Sequence, residues 1–274
     1  MKLLPLALAA ALVLSNRAFA GDTVVTKSKH EDGYKMMGQE QVAKDTTEVT
    51  WIGKDRMRVE DPDHTTIVRL DQKKLYVIDN KAKTFSAVAL PIDMAQYIPP
   101  ELAQMKDMMS AVKVTVTPST DTKKIKDWNT TRYTLALTIP MGGGSSSITQ
   151  EMWVTKDVAV DAAALKEMLG ALMSMNPMGG SSWAAEMKKV DGLPVMTERT
   201  RTMMGTEVKA HEEVTSIETK DAPAGTYDVP AGFTETPFDP MAEMKARMGG
   251  RGGHGGGGPG SGKPTGSGKP GGGG

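Results

Sequence analysis

The chain has 274 residues, 39% of them hydrophobic, 24% charged and 5% aromatic, with 33 basic groups against 33 acidic ones. That is the composition of a folded globular protein, and the absence of cysteine excludes disulfide staples, thiolate catalysis, iron–sulfur clusters and cysteine-type zinc sites. Residues 21–240 hold 26 of the basic and 32 of the acidic groups, a net charge of about −6, which argues against a core that grips nucleic acid through its phosphates.

Lys2 precedes an apolar run from Leu3 to Leu14, and a short polar stretch leads into Ala18-Phe19-Ala20, the small-x-small pattern of a secretory cleavage site. Residues 1–20 are therefore expected to be a cleaved signal peptide, with the product periplasmic or secreted. The run is too short to cross a bilayer, and no later segment is long and apolar enough to do so. Position 21 is glycine rather than cysteine, so no lipid anchor is expected there.

Period-two patterning begins at residue 22 and runs to 90. Val49 and Trp51 flank Thr50, and Met57 and Val59 alternate with charged neighbours after a turn at Gly53-Lys54-Asp55. This spacing predicts half-buried antiparallel strands. Leu75 to Ile78 is apolar on both faces and predicts a strand covered on each side, joined through Asp79-Asn80-Lys81 to another at Thr84 to Leu90. After Pro99-Pro100, the residues Leu102, Met105, Met108, Met109 and Val112 fall on one helical stripe.

Strand periodicity then returns. Tyr133, Leu135, Leu137 and Ile139 share one face, a Gly-Ser loop is expected at Gly142 to Ser147, and another strand at Ile148 to Val154. Asp161 is a favourable N-cap for a second helix carrying Leu165, Met168, Leu169 and Leu172, which Asn176-Pro177 ends; a short third helix starts near Ser182. Two long strands, about Pro194 to Met203 and Thr206 to Glu218, precede a terminal strand at Gly225 to Phe233. The sum is an α+β fold: a curved antiparallel sheet of about eleven strands, a half-open β-barrel, with amphipathic helices inserted after the fifth and eighth strands to cover its concave face. Residues 21–240 form that domain, and residues 241–274 read as a Gly-rich, weakly basic tail unable to bury a core.

The ordered set Trp51-Ile52-Gly53-Lys54-Asp55-Arg56-Met57-Arg58, Lys74 to Phe85, Glu151 to Asp157 and Val229 to Phe233 resembles exported bacterial domains of unknown function. These in turn are similar to the LolA, LolB and LppX group of periplasmic carriers. The resemblance implies an eleven-stranded half-barrel with a helical lid and an apolar cavity for acyl chains. It carries over no ligand-contacting residue.

Reactive chemistry is sparse. The four histidines, at 30, 64, 211 and 254, have no metalloprotease spacing. His30-Glu31-Asp32 and His211-Glu212-Glu213 are local clusters, but neighbours on a strand point to opposite faces. No G-x-S-x-G elbow occurs, and the phosphate-loop look-alike at Gly257 to Lys263 is followed by Pro264 and opens no helix. No enzyme activity and no cofactor are expected.

Methionine, at 21 residues, is the outlier. Thioethers line adaptable apolar surfaces and are also soft ligands for Cu(I). The candidate groove comprises Trp51, Met57, Met105, Met109, Tyr133, Leu135, Leu137, Leu165, Met168, Leu169 and Leu172, with Met173, Met175 and Met178 as the alternative metal set. The leading expectation is a non-enzymatic carrier of a lipid-like or other apolar small molecule. The alternatives are an envelope interaction protein whose tail touches anionic polymers, and Cu(I) binding. Nucleic acid and a transmembrane span are not expected.

Overall fold

Residues 22–89 form eight strands, most of them drawn out by alternation of small or branched apolar residues with polar ones: β1 (Asp22–Glu31), β2 (Tyr34–Met36), β3 (Gln39–Gln41), β4 (Lys44–Ile52), β5 (Arg56–Glu60), β6 (His64–Arg69), β7 (Lys74–Asp79) and β8 (Thr84–Ala89). In the computed structural model the described residues are 21–36, 39–99, 111–141, 144–175, 180–203 and 206–240. The helix expected at 101–112 falls almost wholly outside them. After a 3₁₀ turn at Met94–Tyr97 come β9 (Lys113–Ile125), β10 (Trp128–Met141) and β11 (Gly144–Thr155). Two helices follow, α1 (Ala162–Ser174) and α2 (Gly180–Met187), then β12 (Leu193–Met203), β13 (Thr206–Lys220) and β14 (Thr234–Glu235).

Twelve strands form one sheet in the order β14-β8-β7-β6-β5-β4-β1-β13-β12-β11-β10-β9, and β2 pairs with β3 as a separate hairpin. Within the sheet all pairs are antiparallel except β14 with β8. β1 lies between β4 and β13 and so joins the meander β4–β8 to the meander β9–β13. The two ends of the order do not pair, which leaves the curved sheet open. Register shifts at Thr26/Lys27, Thr131/Tyr133 and Trp153/Val154 bend it.

The inner face is covered in two patches. Under α1 lie Val25, Ile52, Met57, Val68, Leu75, Leu193, Val195 and Val214, packed with Leu165 and Met168. Beside them Tyr133, Leu135, Leu137, Met152 and Val154 pack with Val190, Trp183 and Met187, the last two on α2. Local chemistry places the helices: the Asp161 carboxylate accepts from the amides of Ala163 at 2.9 Å and Ala164 at 3.0 Å. Lys166 on α1 donates to Asp191 at 2.9 Å, and Lys156 pairs with the same carboxylate; these hydrogen bonds hold the Asp191 carboxyl at about 2. The sharp entry into β12 depends on Gly192 at φ +131°, where an added Cβ would collide with the Thr155 carbonyl.

The outer face is covered on its β5–β8 side by residues 221–233. Tyr227 packs on Ile67 and Ile78, its hydroxyl donates to Asp22 at 2.8 Å, and the Arg56 guanidinium lies 4.8 Å from its ring centre. Arg69 donates to the Tyr227 carbonyl at 3.2 Å, and Arg58 to that of Thr226 at 3.3 Å. This corrects the terminal strand expected at Gly225 to Phe233: only Thr234–Glu235 pair with the sheet. Pro223 and Pro230 offer no amide donor, and Gly225 and Gly232 take φ of +83° and +84°, so the segment turns repeatedly and serves as a strap. Two further differences concern length. β11 begins at Gly144, inside the expected Gly-Ser loop, with Thr138 opposite Ser147 and Ile139 opposite Ser146. The small polar β2–β3 hairpin has no apolar alternation that would have announced it.

Candidate ligand-binding cavity

Between α1, α2 and the inner face lies a cavity of about 380 Å³, within the range of roughly 300–1,000 Å³ typical of small-molecule sites. Its apolar wall is built from Val25, Ile52, Met57, Val59 and Leu193 of the sheet and Leu165, Leu169, Leu172 and Met173 of α1, with Trp183 and Met187 of α2. The helical spacing of Leu165, Leu169 and Leu172 puts them on one side of α1, so the stripe that covers the sheet also lines the space beneath it.

Strand register makes the cavity two-ended. Inward positions along β1 change from Val25 to Lys27 and Lys29; along β4 they change from Ile52 through Thr50 to Glu48. Lys27 faces Glu48 across the β1–β4 ladder, and Lys29 faces Glu212 across β1–β13. Along β12 the same level brings Thr197 and Arg199, and β11 adds Gln150. One end of the cavity is thus aliphatic and the other charged.

The charged end is an ordered cluster. Lys29 Nζ lies 2.9 Å from Glu48 Oε2 and 3.7 Å from Glu212 Oε1, and Lys27 Nζ lies 3.3 Å from Glu48 Oε1. Glu48 is only 9% exposed. Burial pushes its carboxyl up most strongly of any single influence, yet the combined charges and hydrogen bonds of Lys27 and Lys29 outweigh it and hold the group below its ordinary value. For Lys29 burial acts downward, and Glu48 and Glu212 together raise the ammonium above its ordinary value. Beyond the cavity, Glu31 is shared by Arg199 at 3.8 Å and Arg201 at 3.6 Å.

The residues singled out from the sequence fall into four places. Met57, Leu165, Leu169 and Leu172 line the cavity. Met168, Tyr133, Leu135 and Leu137 are buried in the packing beneath the helices, at 0–8% exposure, and the last three sit against α2. Trp51 belongs to the other side of the sheet: it packs with the Tyr227 patch, and Lys220 Nζ lies 5.3 Å from its ring centre. Its neighbour Ile52 holds the inward position, because alternation gives adjacent residues opposite faces. Met105 and Met109 lie outside the described residues. Of the alternative metal set, Met173 lines the cavity, Met175 packs beside the α1 core and Met178 lies outside the described residues.

Lys27, Lys29, Glu48, Arg199 and Glu212 were not foreseen. Their parity with Val25, Ile52, Val195 and Val214 on their own strands was the available signal, but charged strand residues ordinarily mark the solvent face. The two histidine clusters do meet, since His30 pairs with His211 across β1 and β13. His30 Nδ1 lies 2.7 Å from Asp45, and His211 lies 3.7 Å from Glu213. Among the described residues no group of three or more His, Asp or Glu is arranged to hold a metal ion, and no helix is long and apolar enough to cross a membrane.

Residues 36–233 match DUF4412, a domain of unknown function. The chain belongs to this family. No curated protein matches it. Among solved structures it is similar to a DUF1329 family protein from Desulfovibrio piger at 11% identity, over 77% of this chain and 90% of that one, with a TM-score of 0.27. It is also similar to a domain described as an outer membrane lipoprotein-sorting protein from Vibrio parahaemolyticus, at 6% identity over 76% and 89% of the respective chains, with a TM-score of 0.28. The open antiparallel sheet with helices over one face is the architecture that the resemblance to the LolA group implied, with twelve strands in place of eleven.

Proposed function

We propose that this DUF4412 protein is a non-enzymatic carrier of an apolar or lipid-like small molecule, exported by its N-terminal leader. The observation that carries this reading is the cavity of about 380 Å³ between α1, α2 and the sheet, walled by Ile52, Met57, Leu165, Leu169, Leu172 and Met173. A space lined by aliphatic side chains and thioethers takes a flexible apolar ligand without directional bonds, which suits capture and release better than bond-making. An acyl chain entering it gains on the order of 0.8 kcal/mol per buried methylene.

Two measurements test the reading. Native mass spectrometry of gently purified full chain is expected to show a co-purifying lipid. Titration with a fluorescent fatty-acyl series is expected to give affinity that climbs with chain length until the cavity is full. Affinity independent of chain length would refute the carrier function and leave the helices as packing for the sheet.

A further inference from the structure

The two-ended character of the cavity specifies the other half of a ligand. Building on the carrier reading, we infer that the cavity takes a single-chain amphiphile with a monoanionic oxyanion headgroup, a carboxylate or a phosphate ester, seated among Lys27, Lys29 and Arg199. The four steps along β1 from Val25 to Lys29 span about 13 Å at roughly 3.3 Å per residue. Over that distance the wall passes from aliphatic to charged on β1, β4 and β12 at the same level. A tail among Ile52 and Leu165 therefore brings its head to the charged cluster.

Charge decides the sign of that head. Three cations, Lys27, Lys29 and Arg199, and two carboxylates, Glu48 and Glu212, line this end of the cavity. Including the adjoining Glu31 and Arg201 leaves the same surplus of one positive charge. Glu48 is already bonded to both lysines, at 3.3 and 2.9 Å, so it is poorly placed to receive a cationic head. An ammonium has three N–H donors and a guanidinium five, and the contacts to Glu48, Glu212 and Glu31 leave donors over for a ligand oxygen. Gln150 and Thr197 add neutral hydrogen-bonding groups at this level. A single negative charge brought there neutralises the surplus where water is partly excluded, and hydrogen bonds between charged groups are the stronger kind.

The test is calorimetric titration of the full chain with four sub-micellar probes of equal tail: tridecanoate, dodecyl methyl phosphate, dodecanol and dodecyltrimethylammonium. Both anions are expected to bind at least about tenfold tighter than dodecanol, the factor that one charged hydrogen bond supplies, and the cation more weakly than dodecanol. Arg199→Gln should lower affinity for both anions about tenfold and leave dodecanol unchanged. Glu48→Gln should raise affinity for the anions by increasing the positive surplus, a gain that a merely destabilised fold would not produce. A preference between the two anions identifies which oxyanion the site takes. Equal affinity for all four heads would overturn the headgroup inference while leaving the apolar carrier standing. Binding of none of them would overturn the carrier reading together with it.

Discussion

At the scale of single residues, Met168 and Glu48 show how the inner face can be both core and site. Met168 is fully buried at 0% exposure between α1 and the sheet. Met168→Ala should cost about 2–5 kcal/mol of stability, whereas Met168→Leu should cost under about 1.5 kcal/mol; urea denaturation reads both. Glu48 supplies a pH dependence of known sign. Its folded carboxyl lies below the ordinary 4.5, so its contribution is present above that value and is lost as pH falls through the folded one. Unfolding midpoints measured from about pH 7 to pH 3 should therefore drop on the acid side, and Glu48→Gln should flatten part of that drop. The burial of Met168 was legible in the Leu–Met stripe. The inward turn of Glu48 was not, because its partners Lys27 and Lys29 lie on β1, 21 and 19 residues away, and nothing local announces the pairing.

The elements differ in how much of their structure is written locally. The α1 N-terminus is local: Asp161 receives both amide bonds from its own first turn. Asp161→Ala should cost about 0.5–2 kcal/mol and, because α1 roofs the cavity, should weaken acyl-probe binding as well; thermal melts and probe titration measure the two losses. The strap at 221–233 is the opposite case. Its Tyr227, Val229 and Phe233 suit a strand, but its place is set by Ile67, Ile78, Arg58 and Arg69, far away in the chain. Tyr227→Phe keeps the ring and deletes only the hydrogen bond to Asp22, so a loss of about 0.5–1.5 kcal/mol is expected in urea denaturation.

For the molecule as a whole, the strand periodicity announced an open antiparallel sheet, and the helical stripes announced what covers it. The periodicity did not disclose that β1 sits at the centre, paired on one side with β4 and on the other with β13. That junction brings Asp22 opposite Lys220, a partnership no local pattern encodes. Strand β14 and the Phe238 ring, which meets Tyr97 edge-on at 5.0 Å, end the described chain near residue 240. Few apolar side chains lie beyond it, so removal of residues 241–274 should leave the melting temperature nearly unchanged; a fall of several degrees in a thermal melt would place part of that segment in the folded unit.

An unclosed sheet has one further consequence, for solubility. Among the described residues β9 is the outermost strand at one end, and an exposed edge strand can recruit strands from neighbouring chains into fibrous stacks. Along that edge Pro118 lacks an amide donor, Lys113 and Lys124 are exposed and charged, and the shift opposite Thr131 and Tyr133 breaks the regular ladder. Copies of the protein approaching edge to edge therefore meet a missing donor, like charge and a mismatched register. The fold can leave its sheet unclosed without that edge becoming a template for aggregation.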